Sequence, residues 1–196
     1  MNRISLIAGL PLAVLASNVV AAEARTSDVR DNGFSYTYVQ GGYESQDWDG
    51  GVDVNALDGK LSYALDEHLF VRAGLQVLDG DYNRGRGDFD GWAMSGGLGF
   101  HTPLQQRLDL VLTGDIIHVD YDFDDDTGFA IAGGVRHATT DKVELAGGAF
   151  LQDVRDSEFG VYGNALYHAT PAVDVGAELR LGDDATVFGL FGRYNF

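Results

Sequence analysis

Along most of the chain, apolar and polar residues alternate one by one. In one stretch the odd positions hold Leu57, Gly59, Leu61, Tyr63 and Leu65, while Lys60 and Ser62 stand between them. A period of two is the signature of a β-strand, whose side chains point to opposite faces in turn. The pattern predicts ten strands, near 33–45, 54–65, 68–78, 89–101, 107–119, 128–138, 142–152, 158–169, 172–181 and 185–196. No stretch after residue 22 is apolar for long enough to cross a membrane as a helix. The connections form two sets. Tight ones such as "LDEH" and "ATPA" alternate with longer, acidic ones such as "QDWDGGVD" and "DYDFDDDTG". An up-and-down antiparallel meander with its short turns at one end accounts for this alternation.

Alternation alone does not say which solvent meets the apolar face. A soluble barrel or sandwich turns it inward, whereas a membrane barrel turns it toward lipid. Three features favour lipid. The polar face alternates charges with small residues, including Gly74, Gly97, Gly99, Gly134, Gly148, Gly160 and Gly176, as the crowded inside of a narrow barrel requires. Aromatic residues fall near the strand ends of the apolar face, as an interfacial girdle of Phe34, Tyr36, Tyr63, Trp92, Phe100 and Tyr167. The unequal connections match the short turns and longer loops of outer-membrane barrels. The expected fold is therefore an all-β, antiparallel, up-and-down transmembrane β-barrel of ten strands, with eight as the alternative.

The two ends of the chain extend this picture. The start, "MNRISLIAGLPLAVLASNVVAAEA", has a basic residue, a short apolar run and small residues before a cut, the three parts of a secretory signal. Residues 1–22 are expected to be removed, leaving an extension over 23–32 and a barrel over 33–196. The final strand carries Phe188, Leu190, Gly192, Tyr194 and Phe196 on one face. This alternating, aromatic-ended strand resembles the terminal strand of bacterial outer-membrane barrels. The whole mature chain resembles the small barrels typified by OmpX, the OmpA membrane domain and the opacity proteins. The resemblance implies an assembly signal at Phe188, Leu190, Tyr194 and Phe196, read by the barrel assembly machinery. It also implies a monomer surrounded by outer-membrane lipid and lipopolysaccharide.

Charge and composition narrow the function. The formal net charge is −17, which excludes a nucleic-acid footprint, and there is no cysteine to form a disulfide. Basic Lys60, Arg72, Arg136, Arg180 and Arg193 share the inward face with Asp109, Asp115, Glu144 and Glu178. They are expected either to fill the lumen with ion pairs or to line a narrow ion-selective pore. The small lumen of a ten-strand barrel favours the first. Asp120, Asp122, Asp124, Asp125 and Asp126 form a dense oxygen-rich cluster that could meet a divalent cation, although the spacing is not that of an EF-hand and no metal is assigned. Trp48, Tyr82, Phe89, Tyr121 and Phe123 mix with acids in the connections, as in a recognition surface. His118 is the one histidine at the acidic end, and no G-x-S-x-G or H-E-x-x-H stretch occurs. The expectation is a barrel without cofactor or catalysis, structural or surface-interactive, with a passive pore as the alternative and a rim enzyme third.

Overall fold

The computed structural model describes residues 32–82, 87–121 and 124–196. The expected signal segment, residues 23–31 of the extension and Asp122 lie outside them, as does Phe123. Ten antiparallel strands close into a barrel in which each strand pairs with its sequence neighbours and β1 pairs with β10. They are β1 (Tyr38–Trp48), β2 (Val52–Ala64), β3 (Leu69–Tyr82), β4 (Asp88–Gln105) and β5 (Leu108–Tyr121), followed by β6 (Asp124–Ala138), β7 (Val143–Asp153), β8 (Ser157–His168), β9 (Val173–Gly182) and β10 (Ala185–Asn195). The hairpin at Asp183 and Asp184 is real, and it makes ten strands rather than eight. Closure leaves no open edge, as a bilayer demands of a sheet.

The alternation sorts the side chains as the barrel requires. Leu57, Leu98, Ile116, Ile131, Val161 and Leu190 stand exposed on the outside. Gln40, Glu44, Asp58, Ser62, Asp115 and Glu144 are buried inside. An apolar exterior around a polar, close-packed interior is the arrangement of a bilayer-spanning barrel.

Two expectations about the elements are corrected. First, β1 begins at Tyr38, five residues after the expected start, because 32–37 turn into the lumen instead of pairing. Second, the acidic connections are not long loops. β5 runs to Tyr121 and β6 begins at Asp124, so Asp120, Asp124, Asp125 and Asp126 belong to the strand ladder. The acidic residues at that end lengthen the wall. β3–β6 have 14 to 18 residues each, whereas β7–β10 have 10 to 12, and the barrel is taller on one side. At the tight 49–51 turn, Gly50 and Gly51 adopt φ of 89° and 77°, a region that favours glycine.

Candidate functional site: the lumen

The lumen is organised by glycines that let long side chains reach across a strand. Arg72 on β3, Gly97 on β4 and Asp115 on β5 lie side by side in register. Arg72 Nε passes over Gly97 and comes within 3.0 Å of Asp115. A Cβ at Gly97 would collide with Asp115 and with the carbonyl of Gly114. Gly189 on β10 lies in register between Glu178 on β9 and Glu44 on β1, and a Cβ there would crowd the Glu44 side chain, whose Oε2 accepts from Arg180 Nη2 at 3.2 Å. Glu44 is the hub of the middle layer. Lys60 Nζ donates to its Oε1 at 3.3 Å, and Gln76 Nε2 to its Oε2 at 3.1 Å. Glu178 lies 3.5 Å from Arg180, and Asp58 lies 3.7 Å from Lys60.

A second layer lies at the short-turn end. Arg136 makes a two-pronged contact with Glu144, Nε to Oε1 at 2.7 Å and Nη2 to Oε2 at 2.9 Å. The guanidinium is sandwiched by aromatic rings, 4.8 Å from Phe34 and 4.6 Å from Tyr36. Paired and hydrogen-bonded in this way, a buried cation escapes the desolvation penalty that a lone one would carry. Nearby, Arg193 donates to Gln40 Oε1 at 2.9 Å and lies 3.9 Å from the Tyr38 ring.

The segment 32–37 crosses this layer from one wall to the other. On the near wall, Ser62 Oγ of β2 donates to the Tyr36 carbonyl at 2.7 Å. On the far wall, Tyr36 donates its hydroxyl hydrogen to Asp109 Oδ2 of β5 at 3.0 Å, and Asn32 Nδ2 donates to Asp109 Oδ1 at 2.7 Å. Asn32 also bonds the carbonyl of Gln105 and accepts from the Arg107 amide. Phe34, Tyr36 and Phe70 form a buried apolar cluster. The His101 ring stacks on Tyr36 at 3.7 Å, with Nδ1 3.4 Å from Asp109. Burial pushes the Tyr36 phenol far above its ordinary pKa, so it serves Asp109 as a neutral donor. Segment 32–37 is thus a plug across the short-turn mouth.

The plug corrects the girdle. Phe34 and Tyr36 are 5% and 6% exposed and face the lumen, because the chain there leaves the sheet and needs apolar anchors. Tyr63, Phe100 and Tyr167 stand exposed on the outside at the short-turn end. Trp92 lies outside near the acidic end, edge-on to His118 at 5.5 Å. Phe188, Leu190, Tyr194 and Phe196 all point outward from the last strand. The nine lumen charges expected from the sequence all lie inside. Of these, Asp109 serves the plug. Arg193 bonds the neutral Gln40, and the other seven form ion pairs.

A cavity of about 950 Å³ runs along the lumen from Tyr36 and Arg136, past the middle layer, to Trp48, Asp156 and Asp184 at the acidic end. Here the sequence reading missed what the structure shows. Trp48, Phe89 and Tyr121 do not stand on loops. They pack inside the wall with Val54, Ala56, Leu78, Ala93 and Val119. Glu44, Asp58, Gln40 and Asp174 were missed as well. Their even positions on strands whose odd positions carry Tyr43, Leu57, Val39 and Val175 were the available signal. The aspartate cluster is divided rather than convergent. Arg155 draws in Asp126 (2.9 Å) and Asp124 (3.2 Å), while Asp125 points outward, and no group of metal-binding residues forms among the described residues.

No protein-family model matches the sequence, and no curated protein matches it either. The fold is similar to that of the β domain of the Bordetella autotransporter BrkA, with a TM-score of 0.55 at 11% identity, covering 84% of this chain and all of that one. Neisserial surface protein A has a TM-score of 0.48 at 13% identity, over 84% of this chain and 99% of its own. The KdgM porin, solved with disordered oligogalacturonate, has a TM-score of 0.47 at 9% identity, over 82% and 99%. The chain has the fold and the outer surface of a bacterial outer-membrane β-barrel.

Proposed function

We propose that this outer-membrane barrel is closed to passive flow and serves at the cell surface as a blind, outward-opening receptacle on a rigid scaffold. The observation that carries the reading is the plug. Residues 32–37 are bonded to β2 on one wall and to β5 on the other, with Arg136 and Glu144 beside them. The ion-paired layer around Glu44 narrows the passage above it. His118 sits on the outer face, 2.8 Å from Thr127 Oγ1 and against Trp92, which supports an interfacial part for it rather than a catalytic one. In this reading the polar rims meet lipopolysaccharide, and the last strand is recognised during assembly.

The test is single-channel conductance in a planar bilayer. The intact protein stays silent, with insertion shown by the different gel migration of boiled and unboiled samples. Removing residues 32–37, or combining Asn32→Ala with Tyr36→Ala, produces discrete openings. Stable openings from the intact protein would overturn the reading in favour of a narrow pore.

A further inference from the structure

The lumen of an outer-membrane barrel is ordinarily polar. In this one the outward half is divided into two unlike walls. On the β1–β5 side lie buried Val54, Leu78 and Phe89, covered by half-buried Trp48, Val119 and Tyr121. On another side the same cavity is lined by Asp156, Glu158 and Asp184, from β8 and the two turns flanking it in the ring, together with Arg155, which is paired with Asp124 and Asp126. The two walls meet where Trp48 of β1 pairs with Ala185 of β10, so a guest there meets aromatic and apolar surface beside carboxylates. The cavity to which both walls belong extends down to Tyr36 and Arg136 and has about 950 Å³ in all, within the range of a small-molecule site.

We infer that this outward half of the lumen binds a small amphipathic cation, an ammonium or guanidinium carried on an aromatic or short alkyl body. The inference rests on the reading of the lumen as blind and open outward, and it supplies the class of ligand.

Charge complementarity selects the occupant. Below the acidic wall, Arg180 makes its short contacts with Glu44 at 3.2 Å and Glu178 at 3.5 Å and is only a longer-range neighbour of Glu158. A neutral apolar guest would strip water from the carboxylates and give nothing back, and an anion would be repelled. Trp48 can take either half of the ligand, since an indole face attracts cations more strongly than the other aromatic rings. Its corner is fixed against the acidic wall, because the Asp49 amide donates to the Asp184 carbonyl at 2.8 Å. The mouth already holds one group of the kind proposed. The Arg155 guanidinium lies 5.6 Å from the Tyr121 ring while bonded to Asp126 and Asp124. Aromatic face and carboxylate together hold that cation. Trp48 beside Asp184 and Glu158 repeats the combination with room for a guest.

The two tryptophans make the test direct, since Trp48 lines the cavity and Trp92 faces outward. Trp92→Phe protein in zwitterionic lipid nanodiscs is titrated with phenethylammonium and, separately, with phenethyl alcohol. The inference expects a saturable change in Trp48 fluorescence with the ammonium. It also expects binding at least about tenfold weaker for the alcohol and for ammonium binding to Glu158→Gln/Asp184→Asn protein. A linear response, equal affinity for the alcohol, or the same response from Trp92 in Trp48→Phe protein would overturn it, because each means bilayer partition or apolar packing alone. Should the double variant fail to fold, the ammonium–alcohol comparison on the parent decides. Conductance measured alongside separates the two claims. A silent bilayer without saturable binding removes the ligand and leaves the blind lumen, whereas an open channel removes both.

Discussion

At the scale of single residues, the interior is governed by what a Cβ would strike. Gly96 and Gly97 are neighbours on β4 with opposite fates. A Cβ at Gly96 meets nothing within 4 Å on the outside, while one at Gly97 lands on Asp115 and on the Gly114 carbonyl. Gly97→Ala is therefore expected to destabilise the barrel by about 1–3 kcal/mol through overpacking. Gly96→Ala should stay within roughly 0.5 kcal/mol of the parent. Urea unfolding from lipid vesicles measures both. A different residue-scale effect belongs to the 65–68 turn. Asp66 accepts hydrogen bonds from the His68 and Leu69 amides, both at 2.8 Å, and these hold its carboxyl below the usual aspartate range. A depressed carboxylate contributes stability above its unfolded pKa of about 3.9 and loses it as pH falls through the folded value. The advantage of the parent over Asp66→Ala is thus expected to be constant from about pH 5 upward and to vanish in stronger acid. Unfolding curves at a series of pH values would show it, and a difference that persisted in strong acid would contradict it.

At the scale of elements, strand number, order and facing were legible in the chain, because a period of two reverses only when the sheet does. Lys60, Arg72, Asp115, Glu144 and Arg180 could be placed inside from parity alone. What parity could not reveal was where pairing stops. Phe34, Tyr36 and Tyr38 continue the alternation without a break, yet the ladder begins at Tyr38. The difference depends on partners remote in sequence. Asp109 and Asn32 are 77 residues apart, and Arg136 and Ser35 are 101 apart. The acidic runs misled in the opposite sense. Aspartates disfavour strands by propensity, but those at 124–126 are held in the ladder by pairing with β5 and, at Asp124 and Asp126, by Arg155. The plug itself yields a prediction at this scale. Tyr36→Phe keeps the ring stack and removes one donor from Asp109, an expected loss of about 1–3 kcal/mol at that anchor. Brief openings should then interrupt an otherwise silent bilayer trace, and an unbroken silence would mean that Asn32 and the apolar cluster suffice.

At the scale of the whole molecule, the outer belt makes depth the controlling variable. Leu57 is 65% exposed at the middle of β2, and Tyr63 is 53% exposed near its end. An arginine at a bilayer midplane costs about 2–4 kcal/mol, falling to about 0–1 near the interface. Leu57→Arg should therefore be markedly less stable than the parent in vesicles, and Tyr63→Arg nearly unchanged in this respect. Equal losses at the two positions would mean that the belt is not immersed as described.

The order of the ring also has a temporal side. Nine of its ten seams join strands that follow one another in the chain, across connections of a few residues. The tenth joins Tyr38 to Asn195 and Trp48 to Ala185. Each hairpin can zip with little loss of chain entropy, whereas this last seam must gather the two ends of the meander before its ladder rewards them. The barrel therefore carries its slow step at a known place. A nearly complete, still open sheet, with the unpaired edges of β1 and β10 as its exposed flanks, is the expected species before closure. The plug grows from the foot of β1, one of the two strands that this last seam must join, so the proposed closure of the short-turn mouth is expected to be complete only when the ring is.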